Sequence, residues 1–261
     1  MSDIRIISLY SGSTGNSFAI VAPSGTLLID AGKNAKRLCC ALSEVGINAN
    51  DIGAILVTHE HTDHISALPV FLKKHPVPVH IAQGCAYKLL PHPSVESLLN
   101  MHPPIYEELI CGMRVTSFPT PHDSRASVGY RIEIPDADGN VAYRIGYATD
   151  IGYVTPEIEE GLSGCDAVIL ESNHDYDMLM TGPYPYDLKK RIASRRGHLS
   201  NPDSAALAAR LCAKGTKKLM LAHLSQENNA PDLAYDECIS AVGDADVAVF
   251  VAHPELPTEM L

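Results

Sequence analysis

Tryptophan is absent from the sequence, and aromatic residues together make up only 6% of its 261 residues. No apolar run approaches the roughly 18 residues that a membrane-spanning helix requires. The first residues, MSDIRIISLY, lack the basic segment and the long apolar core of a secretory signal. We therefore expect a cytoplasmic protein without a membrane partner.

Cysteine motifs are missing as well. The 7 cysteines include no CxxC pair, their number is odd, and most of them lie among apolar or small residues. This pattern indicates free buried thiols rather than a disulfide framework.

Positive charge is scarce. The 20 lysine and arginine residues are outnumbered by 31 aspartate and glutamate residues, so the net charge is −11 at pH 7 with histidine neutral. A protein of this sign repels phosphate backbones at long range unless a local group of charges reverses the field. The composition therefore argues against a protein that coats nucleic acid. What the sequence has in surplus is histidine, with 12 residues that can serve as metal ligands or as acid/base groups near neutral pH.

The pattern of apolar residues predicts both strands and helices. Hydrophobic residues make up 46% of the chain, which is enough for a large core. Strands are predicted at residues 4–10, 17–21, 26–29, 54–57, 128–134, 141–148, 167–170, 218–222 and 247–251. Helices are predicted at residues 35–45, 65–74, 187–194, 204–212 and 232–241. The proline-rich segment 91–104 indicates a surface loop.

The order of these elements indicates a fold class. Two series of strands, each accompanied by helices, follow one another without a long linker rich in proline, glycine or serine. This arrangement predicts one domain over residues 1–261, of the α/β (α+β) class, built as a four-layer αββα sandwich.

The most informative segment is THEHTDH, which directly follows the predicted strand 54–57. It contains His59, His61, Asp63 and His64. Three imidazoles and a carboxylate at the end of a strand form a ready ligand set for one or two transition-metal ions. The alternative, a solvated histidine-rich loop, is weaker because further ligands occur downstream.

Three such ligands follow along the chain. His122 lies in the proline-stiffened turn PTPHD, and Asp150 and His223 come at the exits of predicted strands. Each of them alone would be interpreted as structural. Together with the histidine-rich segment, they favour a dinuclear metal site.

These motifs, in this order, resemble those of the metallo-β-lactamase fold. The resemblance implies two divalent cations, which a shell of histidine and aspartate would accept as Zn, Mn or Fe. It implies one ion held by His59, His61 and His122, a second held by Asp63, His64 and His223, and Asp150 as the bridge between them. It also implies that Asp63 takes part in catalysis and that Asp30, in LLIDAG, orients the histidine segment.

A further histidine resembles a catalytic residue of the RNase Z branch of this fold. His198, in GHLS, precedes the last metal ligand, as does the histidine that assists proton transfer to the leaving oxygen in that branch. Helix capping or a plain surface position is the alternative. His174, in ESNHD, is expected to line the pocket or to support the ligands.

Two groups of residues are candidates for binding a phosphate backbone. A basic cluster precedes His198 and locally reverses the negative charge, although such a cluster can also be a solvated helix face. Its members are Lys189, Lys190, Arg191, Arg195 and Arg196, of which Lys190, Arg195 and Arg196 are the candidates for substrate binding. The loop GSTGNS, with Ser13 and Asn16, offers amides and polar side chains that can cradle a phosphate. A tight glycine turn explains that loop equally well.

The combination of motifs from GSTGNS to LAHLSQENN, over residues 4–231, resembles the YycJ/WalJ group of bacterial metallo-hydrolases. That group acts on DNA as 5′ to 3′ exonucleases, so the resemblance implies a nuclease of DNA ends that uses water activated by two metal ions. The chain is too short for the inserted domain of the β-CASP nucleases, and it lacks an obvious RNase Z arm. Two alternatives remain: a hydrolase of small thioesters, lactones or cyclic phosphodiesters, and a non-catalytic metal-binding regulator.

Overall fold

Two seven-stranded sheets form the centre of the computed structural model, which describes residues 4–260. The first sheet contains β1 (Arg5–Tyr10), β2 (Ser17–Ala22), β3 (Gly25–Ile29), β4 (Ile52–Val57), β5 (Val79–Ala82), β6 (Leu99–His102) and β14 (Thr258–Met260). The second contains β7 (Glu107–Ile110), β8 (Met113–Pro119), β9 (Val128–Pro135), β10 (Val141–Ala148), β11 (Ala167–Glu171), β12 (Lys218–Ala222) and β13 (Ala248–Val251).

The helices of the described residues lie between these strands in sequence. They are α1 (Ala35–Glu44), α2 (Thr62–Ile65), α3 (Leu68–Phe71), α4 (Pro93–Glu96), α5 (Pro156–Leu162), α6 (Tyr176–Thr181), α7 (Tyr186–Ile192), α8 (Asn201–Ala213) and α9 (Pro231–Val242). Capping side chains mark where two of the longer ones begin: Asn34 accepts from the amide of Arg37 before α1, and Ser200 accepts from the amide of Asp203 before α8. No helix within residues 4–260 is both long and apolar enough to cross a bilayer.

Each sheet is antiparallel in one half and parallel in the other. The first runs in the order β14-β1-β2-β3-β4-β5-β6 and becomes parallel from β3 onwards. The second runs in the order β13-β12-β11-β10-β9-β8-β7 and is parallel from β10 to β13. The carboxyl ends of parallel strands lie at one edge of their sheet, so the loops that follow β3, β4, β10 and β12 can meet.

The core has three parts. Residues such as Phe18, Leu56 and Tyr130 fill the space between the sheets. A second cluster packs the first sheet against α1 and α3, and a third packs the second sheet against α5, α8 and α9. The predicted αββα arrangement is confirmed. Strands such as β4 and β11 have both faces covered, which explains their continuous apolar sequences.

Two local predictions were wrong. The helix predicted at residues 65–74 is two separate turns, α2 and α3, and Pro69, which lacks an amide hydrogen, lies in the first turn of α3. The loop predicted at residues 91–104 contains α4 and the edge strand β6, whose sequence LNMH mixes polar and apolar side chains that are all at least partly exposed. Strands β5, β7, β8 and β14 were not predicted either.

Candidate metal centre

The candidate ligands lie on loops at the carboxyl ends of strands from both sheets. The histidine-rich segment follows β4, His122 follows β8, Asp150 follows β10 and His223 follows β12. Asp150 and His223 have φ angles of 58° and 57°, and Asp30, after β3, has 61°. Non-glycine residues seldom adopt this left-handed conformation, and such positions cluster at functional sites.

The structure brings six of the seven proposed ligands together in two groups. One group contains ring nitrogens of His59, His61 and His122, and the other contains atoms of Asp63, His64 and His223; within each group all atoms lie within 4.8 Å of one another.

Asp150 lies between the two groups. Its Oδ2 is 3.4 Å from Nε2 of His64, and its Oδ1 is 3.6 Å from Nε2 of His122 and 3.7 Å from Nε2 of His223. A carboxylate in this position can bridge two cations.

Three atoms of this centre are buried without a hydrogen-bond partner: Nε2 of His59, Nε2 of His223 and Oδ2 of Asp150. Buried polar atoms are almost always satisfied, so such a group requires an explanation. Nitrogen and carboxylate oxygen atoms that converge in this way suit divalent cations such as Zn²⁺. The residues present therefore fit a metal centre.

In three of the histidines, Nδ1, the ring nitrogen that does not face the ligand cluster, contacts a neighbouring polar group. Nδ1 of His64 is 2.7 Å from Oδ2 of Asp30, and Nδ1 of His122 donates to the carbonyl of Gly197 at 3.0 Å. Nδ1 of His59 lies 3.0 Å from Oγ1 of Thr58. Contacts of this kind select the tautomer and turn Nε2 towards the metal position.

Glu171, to which the sequence analysis gave no role, holds two histidines at once. Its side chain is fully buried, and its Oε1 lies 2.7 Å from Nδ1 of His198 and 3.1 Å from Nδ1 of His223. Burial raises the pKa of this carboxyl, but the contacts with the two imidazoles outweigh it and leave the pKa below its usual range. The available signal was an acidic residue ending the apolar strand AVILE.

His198 lies beside the ligand cluster, with its ring centre 5.2 Å from that of His223. A cavity of about 200 Å³ opens next to it, lined in part by Ser13, Tyr184, Arg191 and Arg196. Arg196 also donates from Nε to the carbonyl of His122 at 3.3 Å.

Other members of the basic cluster are placed differently. Nζ of Lys190 lies over the ring of Tyr186 at 4.3 Å, and the guanidinium of Arg195 lies over the ring of Tyr153 at 3.8 Å. Neither Lys190 nor Arg195 lines the cavity beside His198.

The last two sequence candidates are buried. Asn16 accepts from the amide of Gly12 at 2.9 Å, and its Nδ2 is 3.3 Å from Oδ2 of Asp63, so it contacts the ligands rather than solvent. His174 is 2% exposed and lies in none of the ligand groups.

Comparisons with known proteins agree with this architecture. The model of the β-lactamase superfamily domain matches residues 26–224. The chain is 33% identical to the exodeoxyribonuclease WalJ of Streptococcus pneumoniae serotype 2 strain D39, over 93% of this chain and 90% of that protein. It is also 33% identical to the exodeoxyribonuclease YycJ of Bacillus anthracis, over 97% of this chain and 96% of that protein.

A solved structure shows the same fold at lower sequence similarity. Zn²⁺-bound PqqB from Methylobacterium extorquens superposes with a TM-score of 0.72 and 18% identity, covering 97% of this chain and 99% of that one. With the family match and the two relatives, it leads to one conclusion: the chain belongs to the β-lactamase superfamily and has the metallo-β-lactamase fold.

Proposed function

We propose that this protein is a metal-dependent nuclease that hydrolyses phosphodiester bonds at DNA ends, in the 5′ to 3′ direction. The observation that supports it most directly is the convergence of seven histidine and aspartate side chains, three of which have a buried atom without a hydrogen-bond partner. The two relatives named as exodeoxyribonucleases support the choice of substrate.

In this proposal the ligands form two sets. His59, His61 and His122 would hold one cation, Asp63, His64 and His223 would hold the other, and Asp150 would serve both. When bound, two divalent cations lower the pKa of water towards neutrality and offset the charge that develops on a phosphodiester. Asp30, Gly197 and Glu171 contact Nδ1 of His64, His122 and His223, which would leave Nε2 of each ring available for a cation.

His198 is placed to move a proton. Its Nδ1 donates to the ionised Glu171 at 2.7 Å, which leaves Nε2 as the free ring position. The ring is partly exposed and lines the cavity beside the ligands. We assign it the role of general acid for the leaving oxygen.

The cavity supplies contacts for a nucleotide. Arg191 and Arg196 bring positive charge to its wall, Tyr184 offers an aromatic face, and Ser13 offers a hydroxyl. Arginine binds phosphate oxygens, and an aromatic ring stacks on any base. This combination suits the end of a strand without selecting a sequence.

Degradation of end-labelled strands tests the proposal. Metal-free protein is incubated with 5′-labelled and 3′-labelled DNA and RNA in the presence of Mn²⁺, Zn²⁺ or Fe²⁺. We expect metal-dependent release of nucleotides from DNA, its loss in Asp150→Ala and Asp63→Ala, and its retention in the surface control Asp51→Ala. Activity that survives in both ligand variants would refute the mechanism.

A small-molecule hydrolase is the second candidate. The cavity of about 200 Å³ and the net charge of −11 both suit a small substrate better than a long polyanion. Turnover of a thioester, lactone or cyclic phosphodiester that far exceeds nuclease turnover would favour it.

A further inference from the structure

Three polar side chains lie at the margin of the core between the two sheets, on strands that bear none of the seven proposed metal ligands. His80 is on β5, His102 is the last residue of β6, and Glu108 is on β7. β6 is an edge strand of the first sheet and β7 is an edge strand of the second. The cluster therefore spans both sheets.

Strand alternation explains why all three side chains meet. His102 pairs with Ala82 across β5 and β6, and Ala82 belongs to the core between the sheets. His80 is two residues from Ala82 and lies on the same face. Glu108 is likewise two residues from the core residue Ile110. The sequence thus places two largely buried imidazoles beside a half-exposed carboxylate at the margin of the core.

The spacing of the three atoms matches a metal site. Nδ1 of His80 is 3.0 Å from Nε2 of His102, and Oε2 of Glu108 is 3.6 Å from the former and 3.4 Å from the latter. A tetrahedral zinc ion with ligands at about 2.0–2.1 Å separates neighbouring ligand atoms by about 3.3 Å. The triangle therefore has the size of one face of a zinc coordination tetrahedron.

A hydrogen-bonded chain explains this arrangement less well. One proton can join the two imidazoles, but the carboxylate oxygen then lies beyond the usual hydrogen-bond length of about 3.2 Å from both nitrogens. The ring of Tyr106 stacks on His102 at 4.0 Å and fixes its plane.

We propose that His80, His102 and Glu108 bind one divalent transition-metal ion of the zinc type, separate from the catalytic centre, and that this ion ties β6 to β7. Two histidines and a glutamate are a known zinc ligand set that leaves one position for water. The ion would have a structural effect, because its ligands come from both sheets.

Anomalous diffraction from crystals of the full chain soaked in Zn²⁺ locates such an ion directly. We expect a peak about 2 Å from both His80 Nδ1 and His102 Nε2. Peaks at the catalytic centre alone, at a Zn²⁺ concentration that saturates it, would overturn the proposal. The anomalous peaks at the two positions are measured independently. The absence of zinc at one position therefore does not decide the proposal for the other.

Equilibrium dialysis against Zn²⁺ tests the same ion in solution. We expect His102→Gln to weaken one zinc site by about 100-fold or more, since even residues behind a ligand change metal affinity by about 10–100-fold. Glu108→Gln, on a half-exposed side chain that leaves the fold intact, should weaken the same site. Glu107→Gln is the matched control. Glu107 is adjacent to Glu108 in the sequence, but its own side chain pairs with Arg114. Equal zinc affinity and stoichiometry in wild type and Glu108→Gln would refute the proposal.

Discussion

The role of His198 as general acid can be tested by removing its side chain. Removal of the imidazole in His198→Ala removes the proton donor for the leaving oxygen, so we expect kcat on DNA to fall by about 10²–10⁴-fold. Steady-state kinetics with a 5′-labelled oligonucleotide measure this change.

The control for His198 is a substrate whose leaving group needs no proton. On thymidine 5′-p-nitrophenyl phosphate, we expect the loss in His198→Ala to shrink to about 10-fold or less. Metal content should be unchanged, since His198 is outside the two proposed ligand sets. An equal loss on both substrates, or loss of a bound metal, would show that His198 has another role.

Asp30 acts through His64. Its carboxylate accepts from the amide and the hydroxyl of Thr58 at 2.8 and 2.9 Å and contacts Nδ1 of His64 at 2.7 Å. Asp30→Asn places an amide hydrogen against one of these donors, so we expect about 10–100-fold weaker binding of the cation held by His64. Calorimetric metal titration measures this affinity, with the exposed Asp51→Asn as control; equal affinities would contradict the assigned role.

At the scale of an element, the turn after α7 sets the position of two site histidines. The amide of His198 donates to the carbonyl of Ile192 at 2.9 Å, while the carbonyl of Gly197 accepts from His122 at 3.0 Å. A Cβ at Gly197 would lie 2.0 Å from the Ile192 carbonyl oxygen. We expect Gly197→Ala to destabilise the fold by about 1–3 kcal/mol and to lower metal affinity as well as activity.

Thermal unfolding with and without metal checks Gly197→Ala. Gly164→Ala is the matched control for loss of stability without effect on the site, because Gly164 has a φ of 69° and nothing within 4 Å of its added Cβ. Wild-type metal affinity in Gly197→Ala would contradict this account of the turn.

Arg195 and Arg196 are adjacent and exposed. Substituting each in turn distinguishes a direct contact with the substrate from a general electrostatic effect of the basic cluster. Arg196 lines the cavity, whereas Arg195 stacks on Tyr153 outside it. We expect Arg196→Ala to raise KM for DNA by about 10-fold, the effect of losing one charge-assisted contact of about 1.5 kcal/mol, and Arg195→Ala to change KM little. Equal effects of the two substitutions would indicate a diffuse electrostatic role for the whole cluster.

The sequence predicted the elements and residues whose signal is local. Continuous apolar runs predicted β4 and β11, and the motif after β4 predicted the clustered ligands. The edge strands β6 and β7 escaped prediction because LNMH and EELI carry half-exposed polar side chains and pair through their backbones. Glu171 escaped it because its partner His198 is 27 residues away, and no spacing rule links the two.

For the whole molecule, charge limits how a polyanion can be held. The net charge of −11 repels DNA, so attraction must come from the bound cations and a few side chains. Of the basic cluster, only Arg191 and Arg196 line the cavity, and Arg191 also pairs with Asp123 at 2.5 Å. The site therefore suits one strand end rather than a long stretch of duplex.

This charge distribution predicts a weak dependence of DNA binding on salt. A protein that neutralises about two phosphates shows a slope of log K against log salt near −2, compared with −5 or steeper for proteins that make about six or more phosphate contacts. We expect a slope near −2 for a catalytically inactive Asp150→Ala protein, measured by fluorescence anisotropy with an end-labelled oligonucleotide. Lengthening the oligonucleotide should leave the slope unchanged, because the added phosphates face a negative surface. A slope that steepens as the oligonucleotide lengthens would reveal an extended cationic path along the protein. It would contradict binding that is confined to the strand end.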